Sequence, residues 1–201
     1  MAEKDRIAIA RKACLLAGVT PITSFSGARA EEIFCAEMYE ELVESELSLY
    51  KWRFATDAVL IDPLAASPVD QFDSAHQLPD AVLYVDTVLE ADEPIIYERQ
   101  GRLILSNGYS ETQLVCRYRY RADETSWPPY FRLLIISRLA AALSYSIARR
   151  SEVAVSMNEA GDLHWRRAKT ADAQGQTNKR LKLTGLKNRR RGGVDKFWRN
   201  R

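Results

Sequence analysis

The chain has 201 residues, 46% of them hydrophobic and 28% charged, with a formal net charge of +2. That is long enough for one well-buried core with a small second unit, and the composition is of ordinary globular kind, which excludes wholesale disorder. No apolar run reaches the roughly 20 residues a membrane span needs, and the richest, Leu133 to Ala142, is interrupted by Ser137 and Arg138.

The start, Met1 to Arg6, is too charged for a signal peptide and reads as the first turn of an amphipathic helix, so a soluble protein made in the cytoplasm is expected. Cys14, Cys35 and Cys116 are odd in number and far apart, which fits reduced core thiols and no disulfide framework. With two histidines, His76 and His164, and no CxxC, HxxxH or HExxH spacing, neither a metal site nor a histidine-based catalytic centre is expected. No phosphate-cradling glycine motif occurs, so no nucleotide cofactor is expected either.

The small net charge hides an asymmetry. Residues 176–201 hold ten Lys or Arg against one acid, Asp195, which gives +9 and leaves −7 for the remainder. An acidic body with a basic arm points to a partner of negative charge, either nucleic acid or an acidic protein surface.

In chain order, Ile7, Ala10, Cys14 and Ala17 mark one face of a first helix, which Gly18 and Thr20-Pro21 end. A second helix is expected to begin near Ser26 to Ala28. It has one apolar stripe at Phe34, Met38, Leu42 and Leu49 and another at Tyr39, Val43, Leu47, Tyr50 and Phe54. Its opposite face carries Glu32, Glu37, Glu40, Glu41 and Glu44. Asp62-Pro63 and Ser67-Pro68 then read as a loop. Extended segments follow at 81–89, at 95–99 and 102–106 around a Gln100-Gly101 turn, and at 113–121 after Asn107-Gly108, giving a small antiparallel sheet inserted at about 81–121.

Trp127-Pro128-Pro129 opens a third helix, in which Leu133, Ile136, Ala140, Leu143 and Ile147 line one face and further apolar residues widen it almost all round. Such a helix belongs at the centre of a bundle. A fourth runs from about Ser151 to Ala173 with Val153, Met157, Ala160, His164 and Ala168 inward, weakened by about 1 kcal/mol at Gly161. The expected fold is mainly α, a four-helix bundle-like body over 1–175 with the small sheet inserted, followed by an extended arm at 176–201. Fully extended, the arm reaches roughly 85 Å.

Two constellations invite binding. Arg117, Arg119 and Arg121 share one strand face about 7 Å apart, a spacing that suits successive phosphates or, more simply, a solvated sheet face with Tyr118 and Tyr120 turned to the core. In the arm, Arg180, Lys182, Lys187, Arg189, Arg190 and Arg191 are interleaved with Leu181, Leu183, Phe197 and Trp198, the apolar anchors a segment needs to order on a partner. The glutamate cluster Glu31, Glu32, Glu37, Glu40, Glu41, Glu44 and Glu46 reads as a solvated helix face rather than a catalytic carboxylate pair, and His164 as a core histidine.

Several blocks, in order, resemble the adaptor family of short-tailed phages, the tail-tubular-protein-A or head-completion type. They are Ala13–Ser24, Tyr50–Ala55, Gln77–Val85 with its Gln-Leu-Pro-Asp start, Tyr97–Ile104, Tyr118–Tyr120, and Pro128 with the Leu133–Ala142 helix. Together they span residues 5–172. The resemblance implies a structural virion protein at the head-tail interface and no enzyme: a twelve-copy ring on a twelve-copy portal, extending the DNA channel and presenting a surface to the next tail component, a nozzle or tail tube protein. It also implies that the arm docks on the portal protein, which assigns the arm residues a partner, and it leaves Arg117, Arg119 and Arg121 as possible channel-facing contacts to DNA. A DNA-binding protein and a tail-associated cell-wall hydrolase are the alternatives.

Overall fold

The computed structural model describes residues 2–65, 71–107 and 113–175. Four helices form one part of the body: α1 (Ala2–Ala17), α2 (Ala30–Leu49), α3 (Pro129–Ser146) and α4 (Ser151–Gln174). Each begins or ends where the sequence provides a reason. At the end of α1, Gly18 takes φ +71, while Val19 N–H donates to Cys14 O at 3.0 Å and Gly18 N–H to Leu15 O at 3.3 Å. This paired closure satisfies two otherwise orphaned carbonyls and needs a left-handed residue, which glycine adopts without a Cβ penalty. Pro129 occupies the first turn of α3, where its missing N–H costs nothing.

The remaining strands are β1 (Thr56–Ile61), β2 (Ser74–Gln77), β3 (Val82–Glu90), β4 (Glu93–Pro94), β5 (Tyr97–Gln100), β6 (Leu103–Ser106) and β7 (Leu114–Tyr120). They make two antiparallel sheets, one ordered β1-β7-β3-β4 and the other β2-β6-β5. Ile61, Val85, Val88, Leu114, Cys116 and Tyr118 of the first sheet close on Ile104 of the second to form a core of their own. Ala75 and Leu105 pack with Phe72 in a third, smaller cluster.

The architecture is therefore a mixed α/β fold, and the expectation of a mainly α body with a small sheet is overturned. The β region starts at Thr56, not near 81, and takes in two strands in a stretch where the prolines point to loop. Both are weakly patterned for physical reasons. β1 lies at a sheet edge, so only Ile61 among its six residues is buried, and β2 is four residues long with His76 at its buried centre. A hairpin was also hidden: β3 turns into β4 through Ala91 and Asp92, both at positive φ (47 and 68), a primed turn without the usual glycine or asparagine. The β5–β6 turn falls on Gly101-Arg102, one residue later than expected, and the Asn107-Gly108 turn lies partly outside the described residues.

α3 is the centre of the helical core, as its all-round apolar character predicts, with α4 on one side and α1 and α2 on the other. Phe131 gathers the aromatic blocks: its ring lies 5.1 Å from Trp52, 4.9 Å from Phe54 and 5.0 Å from Trp127, all near edge-on. Both indole N–H groups are satisfied, Trp52 on Glu46 O at 2.9 Å and Trp127 on Ala122 O at 2.8 Å. The stripe assignments fail at several positions: Leu49 is 64% and Leu133 50% exposed, Tyr50 and Phe54 lie beyond the end of α2, and Cys35 takes a core position on that helix. All three cysteines are buried free thiols. Gly161 has a structural purpose, for an added Cβ would meet the Arg138 side chain at 3.1 Å, and its absence lets Arg138 cross α4 closely.

Candidate interaction surfaces

The alternation of β7 places Cys116 and Tyr118 in the sheet core and Arg117, Arg119 and Arg121 toward the other side, as the period of two requires. The three arginines then meet different surroundings. Arg117 is exposed, with no ion pair among the described residues. Arg119 is largely buried: it donates to Asp86 Oδ1 through Nε at 2.9 Å and Nη2 at 2.6 Å, to Ser48 O at the end of α2 at 2.5 Å, and its guanidinium lies 4.3 Å from the Tyr84 ring centre. Arg121 donates to both oxygens of Glu40, to Glu124 Oε1 at 2.6 Å and to Ala122 O at 2.5 Å. The row is divided, one cation unpaired among the described residues and two that tie the sheet to α2.

The Arg121 cluster is a closed network. Glu124, in a 3-10 turn at Glu124–Ser126, is 1% exposed, and it also accepts from the Tyr39 hydroxyl at 3.2 Å. Arg6 of α1 reaches Glu40 at 3.1 Å. Burial would depress Arg121, but its hydrogen bonds to Glu40 and Glu124 hold it above the ordinary guanidinium value. Glu40, which burial would raise, is held below the usual carboxylate range by Arg121 and Arg6. Burial, with the Glu124 carboxylate alongside, pushes the Tyr39 phenol far up.

Two further networks bind α2 and α4 into the body. The Glu32 carboxylate folds back on Arg29 at 2.5 Å and on the Arg29 backbone N–H at 3.4 Å, which caps the N-terminus of α2 and pulls its pKa down to about 2. Arg138 of α3 donates to Glu46 at 3.1 Å, Asn158 at 2.5 Å and Asp162 at 2.7 Å. Burial raises Glu46 despite that arginine, and its Oε2 has no hydrogen-bond partner among the described residues. Glu32 and Glu46 are thus buried, which corrects the expectation of a solvated helix face at these two positions. His164 meets its expectation in part: it is half-buried, with Nδ1 2.8 Å from Ser137 Oγ.

At the end of α4, Asp172 is 4% exposed and accepts from Tyr130 Oη at 2.9 Å and Arg53 N–H at 3.3 Å, so that burial and this carboxylate push Tyr130 up to about 12. A cleft of about 380 Å³ opens beside it, lined by Tyr50, Lys51, Arg53, Thr56, Asp172 and Ala173. Lys169 lies 5.1 Å over Tyr50 and 4.1 Å over Trp165. The basic arm follows directly. Its candidate residues Arg180, Leu181, Lys182, Leu183, Lys187, Arg189, Arg190, Arg191, Phe197 and Trp198 lie outside the described residues.

Among the described residues no group of His, Cys, Asp and Glu is placed to hold a metal ion, and no helix is long and apolar enough to cross a membrane. No family model matches this chain, and no curated protein matches it. The residues that the sequence does not single out are three acids: Asp86 in β3 and Glu124 in its 3-10 turn, which answer Arg119 and Arg121, and Asp172 in α4, which accepts from the Tyr130 hydroxyl and the Arg53 backbone N–H.

Proposed function

We propose that this chain is a structural adaptor of a tailed phage, a ring-forming protein that joins the portal to the tail, extends the DNA channel and presents a surface to the next tail component. Ring subunits must hold their shape under load, and a body whose sheets and helices are cross-tied by Arg119–Asp86, Arg121–Glu40–Glu124 and Arg138–Glu46–Asp162 suits that role. The observation that carries the joining role is the partition of charge. The −7 body ends at Gly175, on an α4 terminus pinned through Asp172, and a +9 segment with leucine and aromatic anchors begins there. A basic arm rooted at a fixed point is suited to grip an acidic surface on a neighbouring ring, and the ordered resemblance over residues 5–172 makes the portal that neighbour.

Mixing the purified chain with its portal and imaging the product tests the reading. A stacked double ring is the expected result, and free monomers beside bare portal would refute it. Deleting residues 176–201 should leave a folded body that no longer binds portal.

The DNA-binding alternative loses two of its three strand cations, because the Arg119 and Arg121 guanidiniums are already engaged by carboxylates, and it rests on Arg117 and the arm alone. Among the acids a hydrolase would need, the buried Glu32, Glu46, Glu124 and Asp172 each hold an internal partner.

A further inference from the structure

Helix α2 holds seven glutamates and no lysine or arginine. Three are answered from within: Glu32 by Arg29, Glu40 by Arg6 and Arg121, and Glu46 by Arg138. Glu31, in the first turn, is half-buried and has no ion pair among the described residues; the remaining three, Glu37, Glu41 and Glu44, are likewise unanswered. They are exposed, have no ion pair among the described residues, and stand at i, i+4 and i+7, a single row about 10 Å long. Like charges at such spacing destabilise an isolated helix, by about 0.2–0.5 kcal/mol per i,i+4 pair, so the row carries a standing cost that an external cation would relieve. Ile33, one turn before Glu37 and 51% exposed, continues the same stripe with an apolar contact.

The other flank of the molecule has the opposite character. Around the last turns of α4 stand Arg53, Arg166 and Arg167, exposed and without carboxylate partners among the described residues, with exposed Leu163 one turn before Arg167. The local acid, Asp172, turns its carboxylate inward to Tyr130 and the Arg53 backbone. Asp162 is taken by Arg138, and the nearest outward acid on α4, Glu159, lies about 10 Å along the helix from Arg166. Glu46 turns toward Arg138 and so toward Asp162 of α4, and Glu37, Glu41 and Glu44 lie roughly opposite it around α2, so the acidic row faces away from α4 and its basic corner.

We infer that the outward row Glu37, Glu41 and Glu44 of one copy docks on the Arg166–Arg167 corner of a second copy, in a head-to-tail contact. This rests on the ring-forming reading above and names its interface. Complementary patches on different flanks are what a heterologous contact requires, and such contacts close into rings when the rotation allows. The contact is electrostatic at its rim, so it weakens with salt. Ile33 and Leu163 supply apolar area beside the charges.

Charge exchange in the full-length chain tests this. Two variants, E37K/E41K/E44K and R166E/R167E, alter only exposed side chains, and unchanged thermal unfolding by circular dichroism verifies that each is folded. In sedimentation at low ionic strength, wild type is expected to self-associate and to dissociate on addition of salt, while each variant alone stays monomeric. Mixed together the variants should associate again, because the lysine row of the first meets the glutamates of the second and the native faces remain complementary. Self-association of either variant at the wild-type level, failure of the mixture to reassemble, or a wild type that stays monomeric at low salt each overturns the inference. Portal capture is read separately: a monomeric variant still captured by portal leaves the joining role standing, whereas a wild type that self-associates but is not captured removes the portal and keeps the self-docking contact.

Discussion

The helical core and the seam between helices and sheets are both tightly packed, yet they are held by different forces. Around α3 the contacts are apolar and aromatic, centred on Phe131, and they stabilise by removing surface from water. At the seam the ties are ionic, with Arg119 and Arg121 reaching from β7 to Asp86, Glu40, Glu124 and the end of α2. Apolar packing tolerates change in proportion to the volume lost, whereas a buried ion pair is unforgiving when only one partner is removed and nearly neutral when both are replaced. The two regions should therefore fail in different ways.

The largest expected effect is in the helical core, where Phe131→Ala should cost about 3–5 kcal/mol in urea unfolding, since it opens a cavity among the rings of Trp52, Phe54 and Trp127. At the seam, Glu124→Ala leaves Arg121 with Glu40 alone, and a loss of about 3 kcal/mol is expected. The comparison sharpens in a double variant: Arg119→Met with Asp86→Leu should recover most of what Arg119→Met alone loses, while no second substitution restores Phe131→Ala so simply. Next, Gly161→Ala gains helix propensity worth about 1 kcal/mol but crowds Arg138, so its net change should be small; in an Arg138→Ala background the crowding is gone and the full gain should appear. The smallest is Arg117→Ala, within about 0.5 kcal/mol, as befits the exposed member of the row.

The ionic ties, at the seam and at the N-terminus of α2, also predict a pH dependence that the aromatic core lacks. Glu32 titrates near 2 in the folded chain, below its ordinary 4.5, and Glu40 is shifted in the same direction. A depressed carboxylate contributes stability that is complete above the unfolded value and is lost as pH falls through the folded one. Acid unfolding between about pH 4.5 and 2 should consequently flatten in Glu32→Gln, measured as the change of the urea midpoint with pH.

Helix positions were largely legible in the sequence because they rest on local features: Gly18 as a stop, Pro129 as a start, and apolar periodicity in between. The β region was legible where an apolar or alternating run met a turn signal, at β3, β5, β6 and β7. β1 and β2 escaped because an edge strand and a four-residue strand present too few buried positions to print a pattern, and the β3–β4 turn because Ala91 and Asp92 adopt a conformation usually signalled by glycine. The arginine row was visible as a row but not as a set of ties, since its partners lie 33 residues away at Asp86 and 81 away at Glu40. Pairing of that kind is a property of the fold, and no local spacing announces it.

The clamp at Asp172 has a mechanical consequence. Tyr130 holds that carboxylate from the first turn of α3, and the Arg53 backbone holds it from the point where the chain leaves α2 and enters the first sheet. Tension applied to the chain beyond Gly175 is thus delivered to three elements at once rather than peeling α4 from its end, so the subunit would be tugged as a unit, with the load entering where helices and sheets are joined.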